Sequence, residues 1–266
     1  MVKRMININV KVIVATHDFF EMPKQANYLP VFVGAYRKDK IRDGYQPDDE
    51  GINISEKNPT YCELTAIYWG WKNLKNIDAI GLVHYRRYFF NKKPINLKNV
   101  LSEYDIEKLL KRHDIIVPRK RNYYIETNYS HYIHAHNEEP LRVLKNIIKE
   151  SYPEYSLSFD KVMKRHGAHM FNMFIMKKKF FDNYADFVFG LLSLVERKVD
   201  ISNYSVQEQR VFGYLSELLM DVWIEKNNVN YVEVPWNQIG KKHILKKATN
   251  FLIRKFSKTK GHQTHY

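Results

Sequence analysis

Residues 79–88 read AIGLVHYRRY: five apolar residues, then a histidine, two arginines and two tyrosines. The apolar run is too short for a helix and shows no polar alternation, so it reads as a strand buried on both faces that delivers cationic side chains where it ends. Working upstream, Pro59 fits the first turn of a helix with Asn58 as its N-cap, and Tyr61, Leu64, Ile67, Tyr68 and Trp71 follow at helical spacing. Further upstream, Met5–Ala15 contains INVKVIVA, a β-branched strand that stops at Thr16-His17-Asp18. Downstream, residues 97–112, 138–150, 179–197 and 206–226 read as helices. Ile115–Pro118, Met170–Met176 and Tyr231–Pro235 read as strands. Strands and helices alternate, which predicts an α/β fold with a largely parallel sheet. Residues 19–52, punctuated by Pro23, Pro30, Gly34, Gly44, Pro47 and Gly51, read as a long, partly ordered excursion.

Open α/β sheets bind ligands beyond the carboxyl ends of their strands. Three such ends carry chemistry here: Thr16-His17-Asp18, His84-Tyr85-Arg86-Arg87, and the neighbourhood of Asn172. Arginine's planar fork grips phosphate oxygens, so the pattern points to a bound polyanion. Continued strand geometry would place His84 and Arg86 on one face, with Tyr85 and Arg87 on the other. Asn53, Asn58, Tyr61 and Glu63 crowd a helix start, a ready anion site. His131, His134 and His136 match no zinc spacing and read as acceptor-side residues. Arg210, Gly213 and Glu217 share one side of the last long helix, where an arginine and a glutamate two turns apart are expected to form an ion pair.

The chain has 266 residues, with 43 basic against 29 acidic side chains and a formal charge of +14. Its single cysteine, Cys62, excludes an internal disulfide and favours a reducing compartment. No apolar run approaches the ~20 residues that span a bilayer. Eight of the basic residues and no acid lie in 241–266; without them 35 basic residues face 29 acidic ones. Residues 1–240 therefore read as one domain. Residues 241–266 read as a basic amphipathic tail, with Ile244, Leu245, Phe251, Leu252 and Phe256 among lysines, suited to anionic lipid headgroups. Nucleic acid is disfavoured, because the basic density is confined to the tail and no recognition motif accompanies it.

NISEKNPTYCELTAIYWGWKN (53–73) followed by IGLVHYRRYF (80–89) resembles the bacterial capsule and O-antigen glycosyltransferase family catalogued as domain of unknown function 4422, some members of which are galactofuranosyltransferases. VIVATH (12–17), YLPVFVGA (28–35), FNMFIMKKKFFDNY (171–184) and RVFGYLSELLMDVWIEK (210–226) extend the resemblance over about residues 5–235. It implies a GT-A-like fold and transfer of a sugar from a nucleotide sugar, expected to be a UDP-sugar, to a lipid-linked glycan. The lone cysteine and the basic tail, which lies outside the resemblance, add the expectation of a cytoplasmic enzyme peripheral at the inner face of the cytoplasmic membrane. Joined to the residue reading above, this places the expected donor contacts at Thr16, His17, Asn53, Asn58, Tyr61, Glu63, His84, Arg86 and Arg87. Acceptor contacts fall at His131, His134, His136 and Asn172. For proton abstraction Glu217 is the first candidate, with Arg210 beside it and Glu208 second. GT-A enzymes commonly hold Mn²⁺ or Mg²⁺ on an Asp-x-Asp triplet, which this sequence lacks. Metal-independent transfer is therefore expected, with Asp48 or Asp49 as fallback ligands. Leu218 departs from the arginine expected after Ser216-Glu217. The rival readings are a binding-only module, a nucleic-acid binder and a sugar-nucleotide hydrolase.

Overall fold

A computed structural model describes residues 8–240. The basic tail at 241–266 and the first three residues of the expected opening strand lie outside them. In chain order the elements are β1 (Val10–Thr16), β2 (Tyr28–Phe32), β3 (Gln46–Pro47), α1 (Asn58–Tyr61), α2 (Leu64–Asn73), β4 (Ala79–His84), β5 (Arg87–Phe89), α3 (Glu103–Leu110), β6 (Ile115–Pro118) and β7 (Arg121–Asn122). Then follow α4 (Asn128–Ala135), α5 (Glu138–Ser151), α6 (Ser156–Met163), β8 (Gly167–Ala168), β9 (Phe174–Lys177), α7 (Lys178–Glu196), α8 (Val211–Asn227), β10 (Tyr231–Val234) and β11 (Trp236–Gln238).

The main sheet runs β10-β6-β9-β4-β1-β2-β3, with β5 and β11 paired beside β4. It is mixed rather than largely parallel. β1, β2, β3 and β4 run together, but β9 is antiparallel to both β4 and β6. The reversal positions the site. Leu82 pairs with Phe174, so by the same register His84, at the end of β4, lies beside Asn172, just before β9 begins. Gly81 permits this pairing: a Cβ there would sit 2.8 Å from the Phe174 carbonyl oxygen and 2.7 Å from Ile175.

Strand alternation divides the core. Ile13, Ala15, Ile80, Leu82, Phe174 and Met176 face α2, α5, α6, α7 and α8, while Val12, Val14, Val83 and Ile175 face α3 and the β5 region. Trp223, Tyr184 and Phe181 anchor the larger layer, each fully buried.

Of the boundaries that differ from the sequence reading, three bear on the site. The supposed excursion contains β2, hidden by Pro30. β3 pairs only with Val31 and Phe32, so at Pro30 the outer side of β2 has no ladder bond to lose. The helix expected to run from Pro59 through Trp71 breaks at Cys62, where φ is +53°. Asn58 does not cap it; its amide donates to the Cys62 carbonyl (2.9 Å) and buttresses the break. Finally, 170–173 is not strand, because Phe171 and Asn172 both adopt left-handed φ of 74° and 52°.

Candidate active site

β4 ends in a tight hairpin. His84 pairs with Arg87 across it, leaving Tyr85 and Arg86 at the tip. The pairing expected along one strand face is thereby replaced: His84 shares a side with Arg87, not with Arg86. At the tip, Tyr85 stacks on Phe20 (4.1 Å, 19°) and meets His17 edge-on at 5.2 Å. The Arg86 guanidinium lies 4.8 Å from the Tyr85 ring centroid. This forms an aromatic shelf with a cation on it, at the carboxyl end of β1 and β4.

Beside the shelf, the Phe171-Asn172 turn organises a second group. The Phe171 carbonyl accepts from His84 Nε2 at 2.6 Å, which fixes the proton on that nitrogen. Its backbone lies near the Glu217 carboxyl and favours the ionised form there. Its ring lies 4.5 Å from the Arg87 guanidinium carbon. Asn172, 1% exposed, donates to Glu63 Oε1 at 2.7 Å and accepts from Ser216 Oγ at 3.0 Å. A bulky residue at positive φ followed by a second one is strained backbone, and such strain concentrates at functional sites. α8 approaches closely enough to join this group because Gly213 lies against the helix break; a Cβ there would sit 3.0 Å from Cys62 Sγ.

The electrostatics follow from this crowding. Glu217 is half-buried, and desolvation, reinforced by the neighbouring Glu63, pushes its carboxyl up to about 7 against the pull of Arg87. Burial also lowers His84, with Glu63 opposing the shift and Arg87 adding to it. Burial pushes the Cys62 thiol up to about 11, so it is no ready nucleophile. Arg210 does not form the ion pair expected with Glu217. It sits in the turn before α8, and its Nε meets Cys62 Sγ at 3.2 Å. Among the described residues, no ion pair joins Arg86, Arg87 or Arg210 to a carboxylate.

The remaining candidates spread outward. Thr16 is buried, and its hydroxyl donates to the Asp18 carbonyl at 2.5 Å. Asn53 ties its own loop through Asp49 and Gly51 carbonyls. Tyr61 points to α7, where its hydroxyl donates to Glu196 at 3.1 Å. Glu208 accepts from Ser205 backbone and hydroxyl. His131 and His134 flank the two oxygens of Glu126 at 2.8 and 2.7 Å. His136 stacks on Tyr214 at 4.0 Å. The cluster thus gathers His17, Glu63, His84, Arg86, Arg87, Asn172, Arg210 and Glu217. Sequence reading missed Phe20, Phe171 and Ser216. Phe20 follows the polar end of β1 and was open to notice; nothing in MFNM signals two left-handed residues.

These residues do not fit a divalent cation at the β4 exit, which presents His84 already bonded through Nε2 and two arginines. Asp48 is spent elsewhere. Its carboxylate accepts from Gly34 N, Ala35 N and Thr65 Oγ1 at 3.0, 3.0 and 2.6 Å, and from the Ser55 hydroxyl. Among the described residues no group of three or more His, Cys, Asp or Glu side chains converges as a ligand set. A cavity of about 500 Å³ opens at the opposite end of these strands, where β4 begins and β9 ends, between Ile77, Ala79, Leu110 and Lys177, remote from the cluster.

A structure titled "WbbM bifunctional glycosytransferase apo structure" superposes with a TM-score of 0.80 at 28% identity. The match covers 88% of this chain and 46% of that one, so the chain spans about half of its length. The fold is accordingly GT-A-like, as the resemblance implied. No curated protein matches the chain. The model for a domain of unknown function, DUF4422, matches residues 11–228, and the chain belongs to that family.

Proposed function

We propose that this protein is a glycosyltransferase that moves a sugar from a UDP-sugar, galactofuranose being the first candidate, onto a lipid-linked cell-surface glycan. One observation carries the reading. A half-buried carboxylate raised to about 7, Glu217, lies among arginines that, in the described residues, form no close ion pair with any carboxylate. A base poised near neutrality beside cations not locked in close ion pairs is what transfer from a diphosphate requires. The similarity to a glycosyltransferase structure supports the same chemistry.

In this reading the nucleoside lies against the Phe20-Tyr85 shelf, and Arg86 and Arg87 face the diphosphate. The acceptor hydroxyl attacks the anomeric carbon as the bond to the β-phosphate oxygen breaks. Its proton passes to Glu217, and the negative charge released on the diphosphate is met by the arginines. Displacement from the far face inverts the anomeric centre. Asn172 holds Glu63, which keeps Glu217 basic enough to take the proton. His131, His134 and His136 line the acceptor side, and residues 241–260 hold the enzyme on anionic lipid at the inner face of the cytoplasmic membrane.

Calorimetric titration with UDP-sugars, in EDTA and in Mn²⁺, tests the donor site. Binding in EDTA that weakens at least tenfold in Arg87→Ala supports the arginine role. Binding only in Mn²⁺, unchanged by that substitution, removes it.

A further inference from the structure

One surface feature lies outside the site just described. β7 and β8 form a small antiparallel ribbon, with Arg121 opposite Ala168 and Asn122 opposite Gly167, at the carboxyl end of β6. The loop after β7 exposes two adjacent large residues, Tyr124 at 81% and Ile125 at 65%. Their exposure is built in. Tyr124 adopts φ of +58°, and its N–H donates to Asn122 Oδ1 at 2.7 Å. On either side the loop is pinned: Tyr123 N bonds the His166 carbonyl and Asn128 N the Arg165 carbonyl, each at 2.7 Å. A buried tyrosine, Tyr123, stacks on His131 beneath it. Folding gains nothing from holding Tyr124 and Ile125 in water.

The surroundings are cationic. Arg119, Lys120 and Arg121 precede the loop, and Lys164 and Arg165 adjoin it through the ribbon. Lys120 and Arg165 spend part of their charge on Glu233 and Glu225. Arg119, Arg121 and Lys164 are exposed and have no carboxylate partner among the described residues. The single acid of residues 119–131, Glu126, lies between His131 and His134, whose contacts draw it below the usual carboxylate range although burial opposes them.

We infer that the Tyr124–Ile125 loop with its arginine and lysine collar is a second membrane contact, which dips into the headgroup layer of an anionic bilayer at the rim of the cleft. An aromatic and an aliphatic tip set among cations is the chemistry that partitions to a lipid interface, and basic residues add attraction to anionic headgroups. A sugar-binding platform would use the tyrosine but has no need of a bare isoleucine beside it. Contact here, on the edge where the catalytic group lies, would bring the cleft to the depth of a lipid-linked acceptor. The inference draws on the transferase reading for its purpose alone; its test reads binding, so the two fail separately.

The test uses full-length protein carrying Ile125→Trp, compared with Ile52→Trp and with the parent chain's four tryptophans. Ile52 is a matched control: 60% exposed and held by Asn73 at the end of α2, on the opposite edge of the sheet. With vesicles of phosphatidylcholine and 30% phosphatidylglycerol carrying brominated acyl chains, the tryptophan at 125 should blue-shift and be quenched at least twice as strongly as that at 52. Pure phosphatidylcholine vesicles should give neither change. In parallel, Tyr124→Ser with Ile125→Ser should weaken vesicle binding at least threefold while leaving the melting temperature within 2 °C. Equal quenching at 125 and 52, or a full-length chain that ignores anionic vesicles, overturns the inference.

Discussion

Replacing Glu217 by glutamine should abolish transfer yet stabilise the fold, and the stabilisation should grow with pH. The folded carboxyl sits near 7 against an ordinary value of 4.5. Between these values the folded chain binds more protons than the unfolded one, so native stability falls as pH rises through that window. Above it, the whole cost of a charged carboxylate held beside Glu63 is in place. At 1.36 kcal/mol per tenfold, that ceiling is roughly 3 kcal/mol at pH 8 and about 1 kcal/mol at pH 5. Glutamine keeps the shape but carries no charge. For a chain of this size ~1 kcal/mol moves the melting temperature by about 2–4 °C. Glu217→Gln should therefore melt roughly 5–10 °C above the parent at pH 8, and no more than about 4 °C above it at pH 5. Differential scanning calorimetry at the two pH values reads this directly. An equal shift at both would mean that Glu217 titrates as an ordinary surface carboxylate, and its assignment as the base would lose its physical ground.

The same group sets the pH–rate profile. kcat/KM of the parent should rise along an acidic limb with an apparent pKa near 7, and Arg87→Met should move that limb to higher pH, because Arg87 draws the Glu217 carboxyl down; a limb that stays in place removes Arg87 from the base's surroundings. Arg86→Ala should raise KM for the donor by about tenfold, the usual scale for one charge-assisted contact, with the melting temperature unchanged; an unaltered KM would place the diphosphate elsewhere. Asp48→Asn should cost about 3 kcal/mol in urea unfolding, since four donors converge on that carboxylate. A loss below 0.5 kcal/mol, roughly the scale of a surface change, would contradict its structural role.

The α/β class was legible because β1 and β4 are short apolar runs that end in polar residues, and α5 and α7 follow the expected spans within a residue or two. Strand direction was not legible. Nothing in FIMK says that β9 runs against β4, yet that reversal brings Asn172 to His84. β2 was lost to Pro30, whose missing N–H matters only where a neighbour strand needs it. The cationic cluster at residues 84–87 was readable as chemistry, but its sidedness depended on the strand ending at His84, and a two-residue hairpin has no glycine here to announce it. Glu217 was legible as a candidate from the helix face it shares with Arg210 and from the resemblance that runs through it. What tunes its pKa, Glu63 and the Phe171 turn, comes from segments 46 to 154 residues away, and only folding assembles them.

The central claim is that this cleft moves a sugar rather than merely holding one. The decisive measurement is product analysis with purified full-length protein, radiolabelled UDP-sugars and a lipid-linked glycan acceptor, run beside Glu217→Gln. The account predicts label in the acceptor, UDP released in equal amount, little release when acceptor is omitted, and no transfer by the variant although it still binds donor. UDP released equally fast without acceptor, or donor bound with neither product formed, would contradict it.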